Sequence, residues 1–266
     1  MNREYDNLIT MGKGTPVLLL HSAMSSKLQW YKLMQSMSRN HLMIAVDFYG
    51  YGDSPFPRNT ENFSLSDEIA LLESLLKNVI PPHEPFHIVG HSYGGAVALR
   101  YCYKAEERVR SLTLYEPVAF HLLRQPDEKL FAQVLHQEEI VSNLVKLEKY
   151  AEAAEHFIDR WNGAGTFSGY PKEVQILLCQ SVKKLPLGFR ALVEEPLTLE
   201  DYSRFKVPVC IIAGQRSPID SRRVAELLAE HLIHCQLNWI DADHMAPVAQ
   251  PGLVNPIIET FIGNVK

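Results

Sequence analysis

Residues 87–95 read HIVGHSYGG, and within them Gly90-His91-Ser92-Tyr93-Gly94 is a G-x-S-x-G element between an apolar run and a helix-like stretch. A strand that ends at Val89 and turns at once into a helix crowds its own backbone, so small residues must flank the serine; Gly90 and Gly94 supply them. Such a turn lifts the Ser92 hydroxyl to the carboxyl edge of a sheet, where a histidine from elsewhere in the chain can reach it. The chemistry this suits is attack by an activated serine. His83, His87 and His91 also recur at four-residue spacing, the pitch of a metal-binding helix face. Pro85 and the strand-like FHIVG at 86–90 argue against a helix there, and no metal site is expected.

The elements that must position Ser92 alternate in type. Short apolar runs with β-branched residues at 17–20, 43–46, 86–89, 112–115, 209–213 and 237–240 are strand candidates. Helical periodicity falls between and after them, at 28–37, 66–79, 95–105, 221–232 and 253–262. This order predicts an α/β fold with a mostly parallel central sheet covered by helices on both faces. The alternation breaks from about 119 to about 203, a stretch rich in Leu, Glu, Lys and Ala with helical segments at 127–135, 138–147, 149–161 and 171–183. The chain is therefore divided into a core of residues 1–118 and 204–266 and a helical insertion of residues 119–203. Leaving after one strand and rejoining before Val207-Pro208, the insertion should stand over the carboxyl edge as a cap, where ligands bind in open α/β sheets.

Composition narrows the function classes. A chain of 266 residues with 46% hydrophobic content suits one elaborated domain. The net charge of −5 is scattered, and no basic block or Lys/Arg stripe with interleaved aromatics could neutralise a phosphate backbone, so a nucleic-acid partner is not expected. Cys102, Cys179, Cys210 and Cys235 are far apart and form no C-x-x-C pair, which suggests reduced thiols and not a zinc site or a disulfide framework. The opening MNREYDNLIT lacks an apolar leader core, and no apolar run approaches membrane-spanning length; a cytoplasmic location is expected.

Four elements in order resemble the α/β-hydrolase family across nearly the whole chain. Leu18-Leu19-Leu20-His21-Ser22 is similar to the strand and loop that precede an oxyanion-hole residue. Asp47-Phe48-Tyr49-Gly50-Tyr51-Gly52-Asp53-Ser54 is similar to the family's D-x-x-G-x-G-x-S turn. Gly90 to Gly94 matches the nucleophile elbow, and Asp243-His244-Met245 resembles the late loop that carries the catalytic histidine. The resemblance implies acyl transfer through a covalent intermediate. Ser92 would be the nucleophile, His244 its base and later the acid for the leaving group, and the backbone N–H groups of Ala23 and Tyr93 the oxyanion hole. It also implies that His21 orders the oxyanion loop. Ser22 departs from the usual glycine and would carry strain if the backbone there needs positive φ.

The triad acid is the largest departure from the family pattern. Most relatives carry aspartate after the strand corresponding to 209–213, in a pattern like G-x-x-D-P; here Gly214-Gln215-Arg216-Ser217-Pro218 places Ser217 in that position. Serine cannot supply the negative charge that holds an imidazole in its working tautomer. Glu116, ending the strand at 112–115, is the preferred replacement because some branches of the family place their acid there. Asp220 is the alternative, though beside Ser221 it also suits capping of a helix that begins near Arg222, and the acid could be absent altogether.

The activity implied is cofactor-independent serine hydrolysis of an ester, thioester or related carbonyl compound. Hydrolysis of a carbon–carbon bond and a non-catalytic ligand-binding role are the alternatives. Trp161, Phe157, Phe167, Tyr170 and Phe189 in the insertion suggest a small or medium hydrophobic substrate, or else the insertion's own core.

Overall fold

The structure, a computed structural model, describes residues 7–265; the first six residues of the N-terminal stretch read for a leader lie outside the described residues. Seven strands form one sheet: β1 (Leu8–Met11), β2 (Thr15–Leu20), β3 (His41–Val46), β4 (Phe86–His91), β5 (Val109–Tyr115), β6 (Val209–Gly214) and β7 (Cys235–Ile240), in the order β1-β3-β2-β4-β5-β6-β7. All neighbours are parallel except β1, which pairs antiparallel with β3 at the edge. Each strand candidate from the sequence lies within one of these elements, and only β1 was unforeseen. Its four residues are mostly half-buried, so they show neither a continuous apolar run nor clean alternation.

Alternation along each strand divides the core in two. Val17, Leu19, Met43, Ala45, Val89, Cys210 and Ile212 face one side and pack against α1 (Tyr31–Met37) and α12 (Pro251–Asn264). Leu18, Leu20, Ile44, Val46, Ile88, Leu112, Leu114 and Ile211 face the other, under α2 (Leu65–Leu76), α3 (Tyr93–Lys104) and α10 (Ile219–His231). The second face is continuous with the helices between β5 and β6: α4 (Glu128–Lys146), α5 (Tyr150–Asn162), α6 (Thr166–Gly169), α7 (Lys172–Ser181), α8 (Leu185–Val193) and α9 (Leu199–Tyr202). A short α11 (Ala246–Ala249) follows the His244 loop.

Two segments read as separate helices, at 127–135 and 138–147, are one helix of 19 residues in α4. The α8 helix was not anticipated from LPLGFRALV. Pro186 sits in its first turn, where its missing N–H is not needed, and Gly188 faces the Tyr93 ring, which a Cβ there would meet at ordinary contact distance. Among the described residues, no helix is long and apolar enough to cross a membrane, and the four cysteines are free thiols.

Candidate active site

The serine turn is built by close backbone approach. Ser92 has φ 55° and ψ −116°, a conformation that non-glycine residues rarely adopt. A Cβ at Gly90 would lie 2.5 Å from the Gly94 carbonyl oxygen, and one at Gly94 would press on the carbonyl oxygens of Leu20 and His21. The Ser92 N–H bonds the Tyr115 carbonyl at 2.9 Å and so ties the turn to the end of β5.

Three of the side chains singled out in the sequence lie in one hydrogen-bonded row. The Ser92 hydroxyl is 2.9 Å from His244 Nε2, and His244 Nδ1 is 2.6 Å from Glu116 Oε2. A carboxylate only accepts, so Nδ1 carries the proton and Nε2 presents its lone pair to the hydroxyl. Glu116 is fully buried and has φ 42°, in the left-handed region, which bends the chain sharply where β5 ends. Its other oxygen, Oε1, accepts the Gly214 N–H at 2.6 Å, so one carboxylate joins the ends of β5 and β6 to the His244 loop.

The alternative acid is used elsewhere. Asp220 lies in the first turn of α10, pairs with Arg160 of α5 and accepts the Ser221 N–H at 2.9 Å. The expected cap of a helix beginning near Arg222 is corrected: α10 begins at Ile219 after Pro218, and the Ser221 hydroxyl donates to the Pro218 carbonyl. Ser217 is buried, and its hydroxyl has no hydrogen-bond partner among the described residues.

On the opposite side of Ser92, the loop after β2 carries Ala23. Ala23 and Tyr93, whose N–H groups the resemblance assigns to an oxyanion hole, both line the cavity at Ser92. His21 is fully buried; its Nδ1–H donates to the Ser22 carbonyl at 2.7 Å and its Nε2 accepts the Phe48 N–H at 3.2 Å. Both ring nitrogens therefore serve loop structure. The strain considered for Ser22 is absent: positive φ falls instead on Met24, at 57°. Both the N–H and the hydroxyl of Ser22 bond Gln29 Oε1.

Two cavities meet at Ser92 and Ala23. A small chamber of about 20 Å³ is walled by Tyr51, Val118, Phe120, Phe157, Trp161 and Phe189. A larger one of about 240 Å³ includes His244 together with Trp161, Asn162 and Tyr170. Four of the five aromatics noted in the insertion thus face the site, and Phe167 lines neither cavity. The Trp161 ring lies over the His244 imidazole, with centroids 4.1 Å apart.

Lys184, which gave no signal in the sequence, is fully buried below the site. Its Nζ bonds Glu68 Oε1 and Tyr93 Oη, each at 2.8 Å, and lies 4.0 Å from the Tyr93 ring centroid. Burial presses the ammonium toward neutrality, and Glu68 opposes that shift. No local pattern marks such a pair, because its members are 116 residues apart.

Among the described residues, no group of three His, Cys, Asp or Glu side chains is arranged to hold a metal. His87 and His91 lie on β4, not on a helix, and His87 Nδ1 is 2.7 Å from the Ser111 hydroxyl.

His21, His87 and His121 are each held at a pKa of about 4, chiefly by burial. Unfolded histidine titrates near 6.5, so the unfolded chain binds the extra protons and stability rises with pH. The contribution is fully present above about pH 6.5 and is lost as pH falls toward 4. His91, also buried and held well below the ordinary histidine value, adds to these three, so the slope should be on the order of several kcal/mol per pH unit. Denaturant unfolding between pH 7.5 and 5 should show this steep loss; a flat midpoint would contradict it.

A sequence model of the family described as alpha/beta hydrolase fold matches residues 15–248. The chain belongs to this family. Over 103 residues it is 31% identical to mesoderm-specific transcript protein from Mus musculus, covering 38% of this chain and 30% of that one, so the match spans under a third of that relative's length. It is 24% identical to 3-oxoadipate enol-lactonase 2 from Acinetobacter baylyi, over 96% of this chain and 92% of the relative. The fold superposes on a thermophilic esterase from Thermogutta terrifontis with a TM-score of 0.77 at 22% identity, covering 97% of this chain and 93% of that chain.

Proposed function

We propose that the protein is a serine hydrolase that cleaves a carboxylic ester, open or cyclic, through an acyl-enzyme intermediate. The observation that carries this reading is the unbroken hydrogen-bonded row Ser92–His244–Glu116. His244 takes the Ser92 proton as Oγ attacks the carbonyl carbon, and Glu116 stabilises the imidazolium that forms. The Trp161 face adds electrostatic attraction for that cation. The Ala23 and Tyr93 N–H groups donate to the oxygen on which charge collects. When the tetrahedral intermediate collapses, His244 protonates the departing oxygen; water then repeats the sequence on the acyl-enzyme and releases the acid. Residues 119–203 serve as a cap that walls both cavities. The similarity to an enol-lactonase, a hydrolase of cyclic esters by its name, supports ester cleavage over the carbon–carbon alternative.

The cavities orient the substrate. His244 borders only the larger one, and the group it protonates must lie beside it, so the alcohol portion occupies the larger cavity and the acyl portion the small apolar chamber. That chamber suits a short apolar acyl group.

A fluorophosphonate probe should label Ser92, and His244→Ala should abolish the labelling. Among p-nitrophenyl esters, kcat/KM should peak at two to four acyl carbons, by rough comparison of the chamber with the space one water needs, and fall at least about 10-fold by eight, since each misfit methylene costs on the order of 1–3 kcal/mol. Folded protein that takes no label and cleaves no ester would refute the assignment.

A further inference from the structure

We propose that Gln29 and His91 form a positioning relay that holds the His244 loop in register with the oxyanion loop at Ser22; the relay serves the reaction proposed above and rests on that reading. Gln29 is half-buried and His91 fully buried, and neither borders the two cavities.

Each link of the relay has one allowed direction. The Ser22 N–H can only donate, so the oxygen of the Gln29 amide faces Ser22, at 3.1 Å from its nitrogen and 3.0 Å from its hydroxyl. The amide nitrogen must then face His91 Nδ1, 3.1 Å away, and donate to it. An Nδ1 that accepts leaves the ring proton on Nε2, which donates to the His244 carbonyl at 2.8 Å. A protonated His91 would oppose two donors at the Gln29 link. Burial and the neighbouring His244 keep the ring neutral by pressing its pKa well below the ordinary value.

A second bond shows what the relay acts on. His91 and Tyr115 are paired across β4 and β5, and they immediately precede Ser92 and Glu116. The Tyr115 hydroxyl donates to the Asp243 carbonyl at 2.6 Å, and His91 grips the next carbonyl, that of His244. The residues before the nucleophile and before the acid therefore hold consecutive carbonyls of the loop that carries the base. Through Gln29, the same grip extends to the loop that presents the Ala23 N–H. Displacement of about 1 Å at such a centre costs on the order of 10²-fold in rate.

The test is steady-state ester hydrolysis and fluorophosphonate labelling of the full chain, with melting temperature as the fold control. His91→Phe and Gln29→Leu should each lower kcat about 10- to 100-fold, as expected for a base displaced by a fraction of an ångström, with KM changed less than about 3-fold. The double variant should be no worse than the poorer single one, because cutting one link or two releases the same loops. His91→Gln places an amide N–H near the position of Nε2 and offers its own carbonyl oxygen as an acceptor for the Gln29 amide, so both links can be kept and kcat should recover to within about 5-fold of wild type. His91→Asn, too short to reach the His244 carbonyl, should not. A folded His91→Phe with wild-type kcat, or losses that multiply in the double variant, overturns the relay. Because Gln29 is only half-buried, its variants keep the test open if His91→Phe fails to fold. A wild-type protein inert to both ester and probe overturns the functional reading and the relay with it, whereas an active wild type with unaffected variants overturns the relay alone.

Discussion

Glu116→Gln should lower kcat about 10⁴-fold, the size of loss seen when a triad carboxylate becomes an amide. The carboxylate accepts two N–H groups at once, from Gly214 at Oε1 and from His244 at Oε2, both at 2.6 Å. An amide has only one oxygen. If that oxygen turns to Gly214, the NH₂ faces Nδ1; His244 must then accept there and present an N–H to Ser92, the tautomer that cannot take its proton. If the oxygen turns to His244, the NH₂ opposes the Gly214 N–H, and a buried donor is left unpaired. The first arrangement disables the base, and the second leaves the imidazolium without a counter-charge at the cost of a stranded Gly214 N–H, whereas a glutamate that only lined the pocket would leave turnover intact. Asp220→Asn is the control. It weakens the pair with Arg160 and does not touch His244, so kcat should stay within about 3-fold of wild type, as for changes outside the triad. Steady-state kinetics of the two variants decides the matter; near-normal turnover in Glu116→Gln would remove Glu116 from the mechanism.

Lys184→Met should destabilise the fold by about 3–5 kcal/mol, because it strands a buried carboxylate. In the native protein the Lys184 ammonium, fully enclosed by the Tyr93, Phe63 and Tyr51 rings, neutralises Glu68. Without it, Glu68 keeps only the Tyr93 hydroxyl and the Tyr49 N–H. For a chain of this size the loss corresponds to a melting temperature lower by roughly 10 °C. Adding Glu68→Gln should restore most of it, since the neutral amide needs no counter-charge and a well-packed replacement of a whole buried pair is often close to neutral. Thermal unfolding of the single and double variants measures this; a double variant no better than Lys184→Met would show that the charge is not the cause. The pair has a functional side as well. Lys184 belongs to the segment between β5 and β6, and Tyr93 follows Ser92, so the same bond anchors the proposed cap against the serine turn.

Local patterns were sufficient for the framework. Strand positions, the serine turn and the helical nature of residues 119–203 all follow from runs, periods and small-residue requirements within a few positions. Even the departure at Ser217 was visible, and with it the need for another acid. Four local readings failed: the half-buried edge strand Leu8–Met11 has too weak a pattern, α10 begins at Ile219 and not near Arg222, the segments at 127–135 and 138–147 are one helix, and α8 carries Pro186 and Gly188, residues that argue locally against a helix.

The choice between the two carboxylates lay beyond any local pattern. Glu116 and Asp220 are both buried near the ends of β5 and β6, and only the packing directs one toward His244 and the other toward Arg160 of α5. The same is true of Gln29 with His91 and of Lys184 with Glu68, partners 62 and 116 residues apart. A hydrogen bond between distant positions leaves no period and no required neighbour in the chain. By itself, the sequence determined the serine turn, which holds the proposed nucleophile, and which sheet would present it. The tertiary structure decided which carboxylate faces the histidine, because that depends on how the ends of two strands and one late loop converge around a single buried carboxylate.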